Sequence, residues 1–341
     1  LSNLNDPYTR FLEPKEFNQM RIDTSGELTG VGIQIVKDKE SDDLIIVSPI
    51  EGTPAFNAGI KAKDKILSID NISTQNMNIE EAVKLIRGQR GTKVKLEIFR
   101  NGRSFYKTLS RERIEIKTVS TKINQSKNGL LIGYLRIKQF NANASREMKN
   151  ALNDLENKNI SGYVLDLRSN PGGLLESSID ISRHFINKGV IVSTLTKDGL
   201  KEIKKGNGQA LTKKPLVVLV NEGSASASEI VSGAIRDNNR GKLVGKKTFG
   251  KGLVQSMRTL VDGSGLTVTV AKYLTPNGID INKFGILPDI EVEMNNSILQ
   301  KEIGTKKDRQ YRVGEKELIK IIESKNQITQ YNPNSTNQMH S

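Results

Sequence analysis

The sequence predicts a multidomain α/β protein, with a β-rich unit ahead of a core in which strands alternate with helices. Three observations carry this. Over residues 27–110, short β-rich runs are separated by charged or Asn-Gly turns. From about residue 111 the pattern changes, and apolar runs such as "GYVLDLR" (162–168) alternate with amphipathic stretches such as "SREMKNALNDLEN" (145–157). The run "LVVLV" (216–220) is apolar at every position and reads as a buried strand.

The opening "LSNLNDPYTRFLEPKEFNQM", with Pro7 and Pro14, reads as short helices and turns over 1–26, the end of a larger element. In the β-rich unit, "GVGIQIV" (30–36) and "LIIVSPI" (44–50) are strands on either side of a charged turn. A short helix in "GTPAFNAGI" (52–60) and a strand in "DKILSIDN" (64–71) follow. "NIEEAVKLIRG" (78–88) places Ile79, Ala82, Val83 and Ile86 at helical spacing and stops at Gly88. "KVKLEIFR" (93–100), "NG" and "RSFYKTLS" form a hairpin. The core, 111–296, is expected to hold strands at 130–140, 162–168, 189–196, 215–221, 242–246, 252–260 and 265–274. Helices are expected at 145–157, 172–186 and 226–237. The remainder, 297–341, reads as a helix over 314–325 and a polar tail, "NQITQYNPNSTNQMHS", too poor in apolar residues to fold.

Composition excludes several classes. The chain has 341 residues and no cysteine, so disulfides, thiolate catalysis and cysteine-held metals are out. No apolar run reaches membrane-spanning length. It starts at Leu1 without a signal-like segment, which suggests a mature chain whose targeting segment has been removed. Net charge is +14, but Lys and Arg are interspersed with acids, as in "KDKESDD" (37–43), and aromatics are 5%. This pattern reads as a solvated basic surface and not a nucleic-acid site; peripheral contact with an anionic membrane stays open.

"NEGSASASEIVSGAIRDNNR" (221–240) follows the buried strand and carries Ser224, Ser226 and Ser228. Ala227, Ile230, Val231, Ala234 and Ile235 share a helical face, which puts the helix start near Ser226. Two readings compete there. Ser226 with Glu229 matches a capping box. A helix N-terminus after a buried strand is also where hydrolases place a nucleophile, next to backbone N–H groups that hold an oxyanion. Such a serine needs a base. Of the two histidines, His184 lies mid-helix and His340 in the tail, which leaves lysine. Lys251, framed by Gly250 and Gly252 in "KKTFGKGLVQ" (246–255), is the candidate, provided burial lowers its pKa.

The segments "DLRSNPGG" (166–173), "GSASASEI" and "KTFGKGLVQ", in this order, resemble the carboxy-terminal processing peptidases, or tail-specific proteases. The resemblance runs to about residue 295 and includes "DPYTRFL" and "GILPDIEVE" (285–293). It implies a PDZ domain at 27–110 inserted before an α/β, ClpP/crotonase-like serine protease core with a Ser/Lys dyad. It assigns Ser226 as nucleophile, Lys251 as base and Gln255 as the residue orienting that lysine. The oxyanion hole would be the N–H groups of Ala227 and Gly172. Asp237 and Arg168 would have supporting roles, and neither a metal nor a cofactor is implied.

The same resemblance makes "LTGVGIQI" the loop and strand that receive a peptide C-terminus, placing Gly30, Val31, Gly32 and Ile33 at the ligand. Arg87, in "IRG", matches an arginine that couples PDZ position to catalysis in relatives. Partners would be protein substrates bound through their C-termini. "AKYLTPNGIDINKFGILPDIE" is most similar to the cyanobacterial and plastid branch, which includes enzymes that trim the photosystem II reaction-centre protein precursor. That implies an extracytoplasmic location, periplasm or thylakoid lumen. The alternatives are a general tail-specific protease for quality control, or a non-catalytic PDZ scaffold. A crotonase-type acyl-CoA enzyme would leave the Ser/Lys pair unexplained.

Overall fold

A computed structural model describes residues 4, 6–38, 40–294 and 298–331. The chain divides into two compact units, Gly26–Ile116 and a larger one made of the residues through Ser25 together with those from Lys117 onward.

In the smaller unit, strands Ile33–Lys37, Leu44–Pro49, Lys65–Ile69, Lys93–Arg100 and Arg103–Ser110 pair antiparallel in that order. Alternation in "KVKLEIFR" buries Val94, Leu96 and Ile98 against Ala82 and Ile86 of the helix Ile79–Ile86. Asn101 and Gly102 both take positive φ, 51° and 79°, the twist a two-residue hairpin requires. The helix starts at a complete capping box between Asn78 and Glu81. It ends where the buried Arg111 guanidinium takes the carbonyls of Leu85 and Ile86. A Cβ on Gly88 would stand 2.8 Å from Arg111 Nε, so glycine there admits the guanidinium. Among the described residues, Ile33–Lys37 has a strand partner on one edge only, leaving the other open to an added strand.

The larger unit is built on a six-stranded sheet. Its order is Val119–Gln125, Leu131–Ile137, Gly162–Asp166, Leu216–Val220, Lys242–Gly245 and Ile290–Glu291; the first pair is antiparallel and the rest parallel. The unbroken apolar run 216–220 has a simple cause. Leu216, Val218 and Val220 face helices Ala144–Glu156, Leu175–Phe185 and Ala227–Asp237, while Val217 and Leu219 face Tyr311, Leu318 and Ile322 of the C-terminal helix. A second, antiparallel sheet runs Arg10–Leu12, Gly265–Leu274, Val190–Thr196, Lys201–Lys205, with Leu253–Thr259 also on Gly265–Leu274.

Two expectations need correction. Lys201–Lys205 is a strand that the sequence did not suggest, because every residue but Ile203 is charged. It is an edge strand, where charge is tolerated and blocks further pairing. The last helix is longer than predicted, Arg309–Tyr331 instead of 314–325, and so takes in part of the tail read as unfolded. Its first turn is buried through Gln310 and Tyr311, and the Asp308 carboxylate accepts from Tyr311 N at 3.1 Å. Residues 332–341, with His340, lie outside the described residues.

A buried ionic cluster ties that helix to the sheet. Arg168 donates to Asp166, Asp308 and Gln310, and the Tyr134 hydroxyl donates to Asp166 at 2.6 Å; all five side chains are buried. Burial raises the Asp308 pKa, but the hydrogen bonds and charge of Arg168 outweigh it, so the carboxyl stays below its ordinary range. Truncating the arginine would strand two buried carboxylates. Arg168→Ala is therefore expected to lower unfolding free energy by about 3–5 kcal/mol, read as a lower urea midpoint. A loss below about 1 kcal/mol would mean that the cluster does not hold the helix.

Candidate active site

The turn Asn221–Ser226 joins the strand Leu216–Val220 to the helix Ala227–Asp237 and is laced to the turn after the neighbouring strand Gly162–Asp166. Asn221 Oδ1 accepts from Ser169 N (2.7 Å) and Gly223 N (3.1 Å). Ser224 Oγ donates to Leu167 O (2.8 Å) and accepts from Asn221 N (3.0 Å). Ala225 N and Ser228 Oγ both donate to Asn170 O, at 3.0 and 2.9 Å. Two of the three serines are thus buried structural donors, and the third differs. Ser226 is half-buried, at φ 54° and ψ −114°, outside the ordinary regions for a side chain-bearing residue. Holding it there costs about 1–3 kcal/mol. The expected capping box forms only in part: Glu229 Oε2 accepts from Ser226 N at 2.9 Å, while Ser226 Oγ makes no cap.

Glu229 does more than cap. Its carboxylate, 1% exposed, accepts from Ser226 N (2.9 Å), Lys251 N (2.9 Å), Gly250 N (2.7 Å) and Thr248 Oγ1 (2.6 Å). One buried group therefore fixes the serine elbow and the lysine loop together. The Tyr273 hydroxyl adds a second link, within hydrogen-bond reach of both Ser226 O and Lys251 O. The sequence hinted at Glu229 only through its capping spacing, and gave no sign of Tyr273.

The Gly-Lys-Gly frame is explained by crowding. A Cβ on Gly250 would meet the Lys283–Gly285 backbone at 2.9–3.1 Å, and one on Gly252 would meet Asn282 N at 2.8 Å. Between them, Lys251 is half-buried and donates through Nζ to Gln255 Oε1 at 3.0 Å. The ammonium also lies 4.7 Å from the centroid of the Tyr8 ring. Burial lowers the Lys251 pKa, the charge of Arg10 lowers it further, and Asp6 opposes both. Among the described residues no hydrogen bond joins Lys251 Nζ to Ser226 Oγ.

Gly172 lies directly against this centre. A Cβ on it, at φ +101°, would stand 2.8 Å from Ser226 Cβ and 3.0 Å from Ala227 N. Ala227 is the first residue of its helix, so its N–H has no intrahelical acceptor. The Gly172 N–H is engaged, donating to Asn170 Oδ1 at 2.9 Å.

Residues 131–292 match peptidase family S41, and residues 19–99 match the PDZ domain. A carboxyl-terminal-processing protease of Synechocystis is 48% identical over 295 residues, 86% of this chain and 69% of that protein. Its counterpart in Picosynechococcus is 47% identical over 91% of this chain and 75% of that protein. The chain belongs to peptidase family S41. It is a carboxyl-terminal-processing protease, a serine hydrolase acting on protein substrates, with a PDZ domain ahead of its protease domain. A solved photosystem II D1 C-terminal processing protease matches with TM-score 0.53 and 35% identity, over 86% of this chain and 79% of that one.

Elsewhere in this S41 chain, Asp237 ends the helix that Ser226 begins. It pairs with Arg236 at 2.9 Å and accepts from Asn277 N at 3.2 Å, offsetting an acid at a helix C-terminus. His184 has its Nε2 3.1 Å from both Ser145 Oγ and Ser145 O, linking two helices, and burial lowers its pKa. In the PDZ unit, the carbonyls of Val31 and Gly32 are taken by Ala55 N (3.0 Å) and Ile50 N (2.8 Å). Gly32 has φ +81°, and a Cβ there would strike Thr53 at 2.2 Å. Gly30 closes the strand Glu27–Gly30, Ile33 opens the next, and Arg87 Cγ would lie 4.0 Å from a Cβ on Gly30.

Proposed function

We propose that this protease cuts upstream of protein C-termini with Ser226 as nucleophile and Lys251 as general base. The observation that carries the reading is the shared Glu229 carboxylate, which fixes the backbone of both residues while burial drives the lysine toward its neutral form. Ser226 Oγ attacks the scissile carbonyl carbon and its proton passes to Lys251 Nζ. For this the lysine side chain turns from its present position to within hydrogen-bond reach of Oγ. The oxyanion that forms is held by the Ala227 N–H. It also competes with Asn170 Oδ1 for the Gly172 N–H, and a full negative charge is the stronger acceptor. Lys251 then protonates the departing amine, leaving an acyl-enzyme on Ser226. A water gives a proton to Lys251 as its oxygen attacks the ester, and Lys251 returns that proton to Ser226 Oγ as the C–Oγ bond breaks, freeing the product acid, the serine hydroxyl and the neutral amine. Gln255 orients the lysine by holding one of its N–H bonds.

The PDZ unit would receive the substrate C-terminus at Gly30, Val31, Gly32 and Ile33, its chain adding to the open edge of Ile33–Lys37. Arg87, beside Gly30, is a cation available to that carboxylate and so a regulatory candidate. Amidating the tail of a peptide substrate is expected to lower kcat/KM by roughly ten- to a hundredfold, the worth of a charge-assisted hydrogen bond. A substitution at Gly32 would break the loop against Thr53, so the substrate is the cleaner thing to change. Mass spectrometry of the fragments tests the whole reading. Equal cleavage of free-acid and amidated tails would remove the PDZ unit from tail recognition. The similarity to a D1 C-terminal processing protease supports a photosystem II reaction-centre precursor as substrate, and the branch that "AKYLTPNGIDINKFGILPDIE" resembles supports an extracytoplasmic compartment. Equal rates on that precursor's tail and an unrelated one would favour a general tail-specific protease.

A further inference from the structure

The segment "DPYTRFL" (6–12) takes no part in the bond-making steps proposed above, yet Tyr8 touches both the proposed base and the glutamine that holds it. We infer that Tyr8 is a positioning residue for Lys251, its ring face stabilising the ammonium and its carbonyl fixing Gln255. The inference rests on the Ser226–Lys251 reading. The ring centroid lies 4.7 Å from Lys251 Nζ, within range for a cation–π contact. The Tyr8 carbonyl accepts from Gln255 Nε2 at 3.3 Å, while Gln255 Oε1 accepts from Lys251 at 3.0 Å. This fixes the sense of the amide. Flipped, it would set its NH2 against the ammonium and its oxygen against a carbonyl, losing both bonds. With one lysine N–H held by Gln255, the lone pair of the neutral amine is directed away from the amide.

The mount is rigid. Asp6 accepts from Tyr8 N (3.0 Å) and Thr9 Oγ1 (2.6 Å). The Tyr8 carbonyl also accepts from Thr267 Oγ1 (2.9 Å), and Thr9 Oγ1 accepts from Thr269 N (3.1 Å). Arg10–Leu12 then pairs antiparallel with Gly265–Leu274. The charged and titratable groups around Lys251 are Asp6 and Arg10 from this segment, Glu229 bound to its backbone N–H, and the Tyr273 hydroxyl at its carbonyl. A ring face favours the ammonium, as Asp6 does, and so opposes burial and Arg10. The segment thus sets how far the base is lowered, not only where it sits.

The test replaces Tyr8 with phenylalanine and then with mono-, di- and trifluorophenylalanine, which drain the ring face of negative potential at nearly constant shape. Lys251 is titrated through its 13Cε resonance in lysine-labelled protein, assigned by its loss in Lys251→Arg. Tyr8→Phe is expected to leave the midpoint in place. Fluorination is expected to lower it stepwise, by on the order of half to one pH unit in the trifluoro variant. A midpoint that stays put or rises along the series overturns the inference. Because the resonance reports the lysine directly, this outcome is separate from failure of the dyad itself. That failure would show as full peptidase activity in Lys251→Ala.

Discussion

Ser226→Ala is expected to abolish peptide-bond cleavage, lowering kcat/KM by on the order of 10^4- to 10^6-fold, as loss of a nucleophile that works as a unit with its base does. The fold should survive. Ser226 Oγ makes no cap, and the elbow is held by Glu229 acting on the Ser226 backbone, which alanine retains. The flanking serines should behave in the opposite way. Ser224→Ala leaves the Asn221 N–H without its acceptor and Leu167 O with the Asn170 N–H alone, and Ser228→Ala removes one of two donors to Asn170 O. Each is expected to cost about 1–3 kcal/mol of stability while keeping at least partial activity, because neither hydroxyl is available to a substrate. Urea unfolding and peptide cleavage on all three purified variants separate the two patterns. Full activity in Ser226→Ala would sink the assignment.

Much of this architecture could be read from the chain. The alternation in 93–100, the Asn-Gly hairpin and the unbroken apolar run at 216–220 each follow from local chemistry that the tertiary structure does not override. What the sequence hid are groups whose role depends on distant partners. Glu229 looked like a capping residue because its tie to Ser226 is local, whereas its bonds to Gly250 and Lys251 cross about twenty positions of chain. Tyr8 reaches Gln255 across 247 positions, a pairing no local pattern encodes. The charged strand Lys201–Lys205 was invisible because backbone pairing along an edge needs no apolar side chains. The proposed oxyanion site was only half legible. The family resemblance assigned Gly172 to it, but nothing local pointed to the competing acceptor Asn170 Oδ1 that its N–H already serves.

Lys251→Ala is expected to be as damaging as loss of Ser226, and Lys251→Arg should not restore activity. A guanidinium stays protonated throughout the working pH range and cannot accept the serine proton. The sign of the pH dependence follows from the lysine's surroundings. Its ordinary pKa of ~10.4 would leave roughly one molecule in 2,500 with a neutral amine at pH 7. Burial and Arg10 lower that pKa and Asp6 partly restores it, and each unit of net lowering makes the free base about tenfold more abundant. Activity should therefore climb about tenfold per pH unit below the folded-state pKa and level off above it. Arg10→Gln, which removes a repelling charge, should raise the pKa and move the limb to higher pH. The competing base would be His184, whose pKa burial lowers and whose Nε2 is occupied by Ser145. A limb below the ordinary imidazole range that disappears in His184→Gln and is unchanged in Arg10→Gln would transfer the role to the histidine. A limb that follows Arg10 and vanishes with Lys251 keeps it on the lysine.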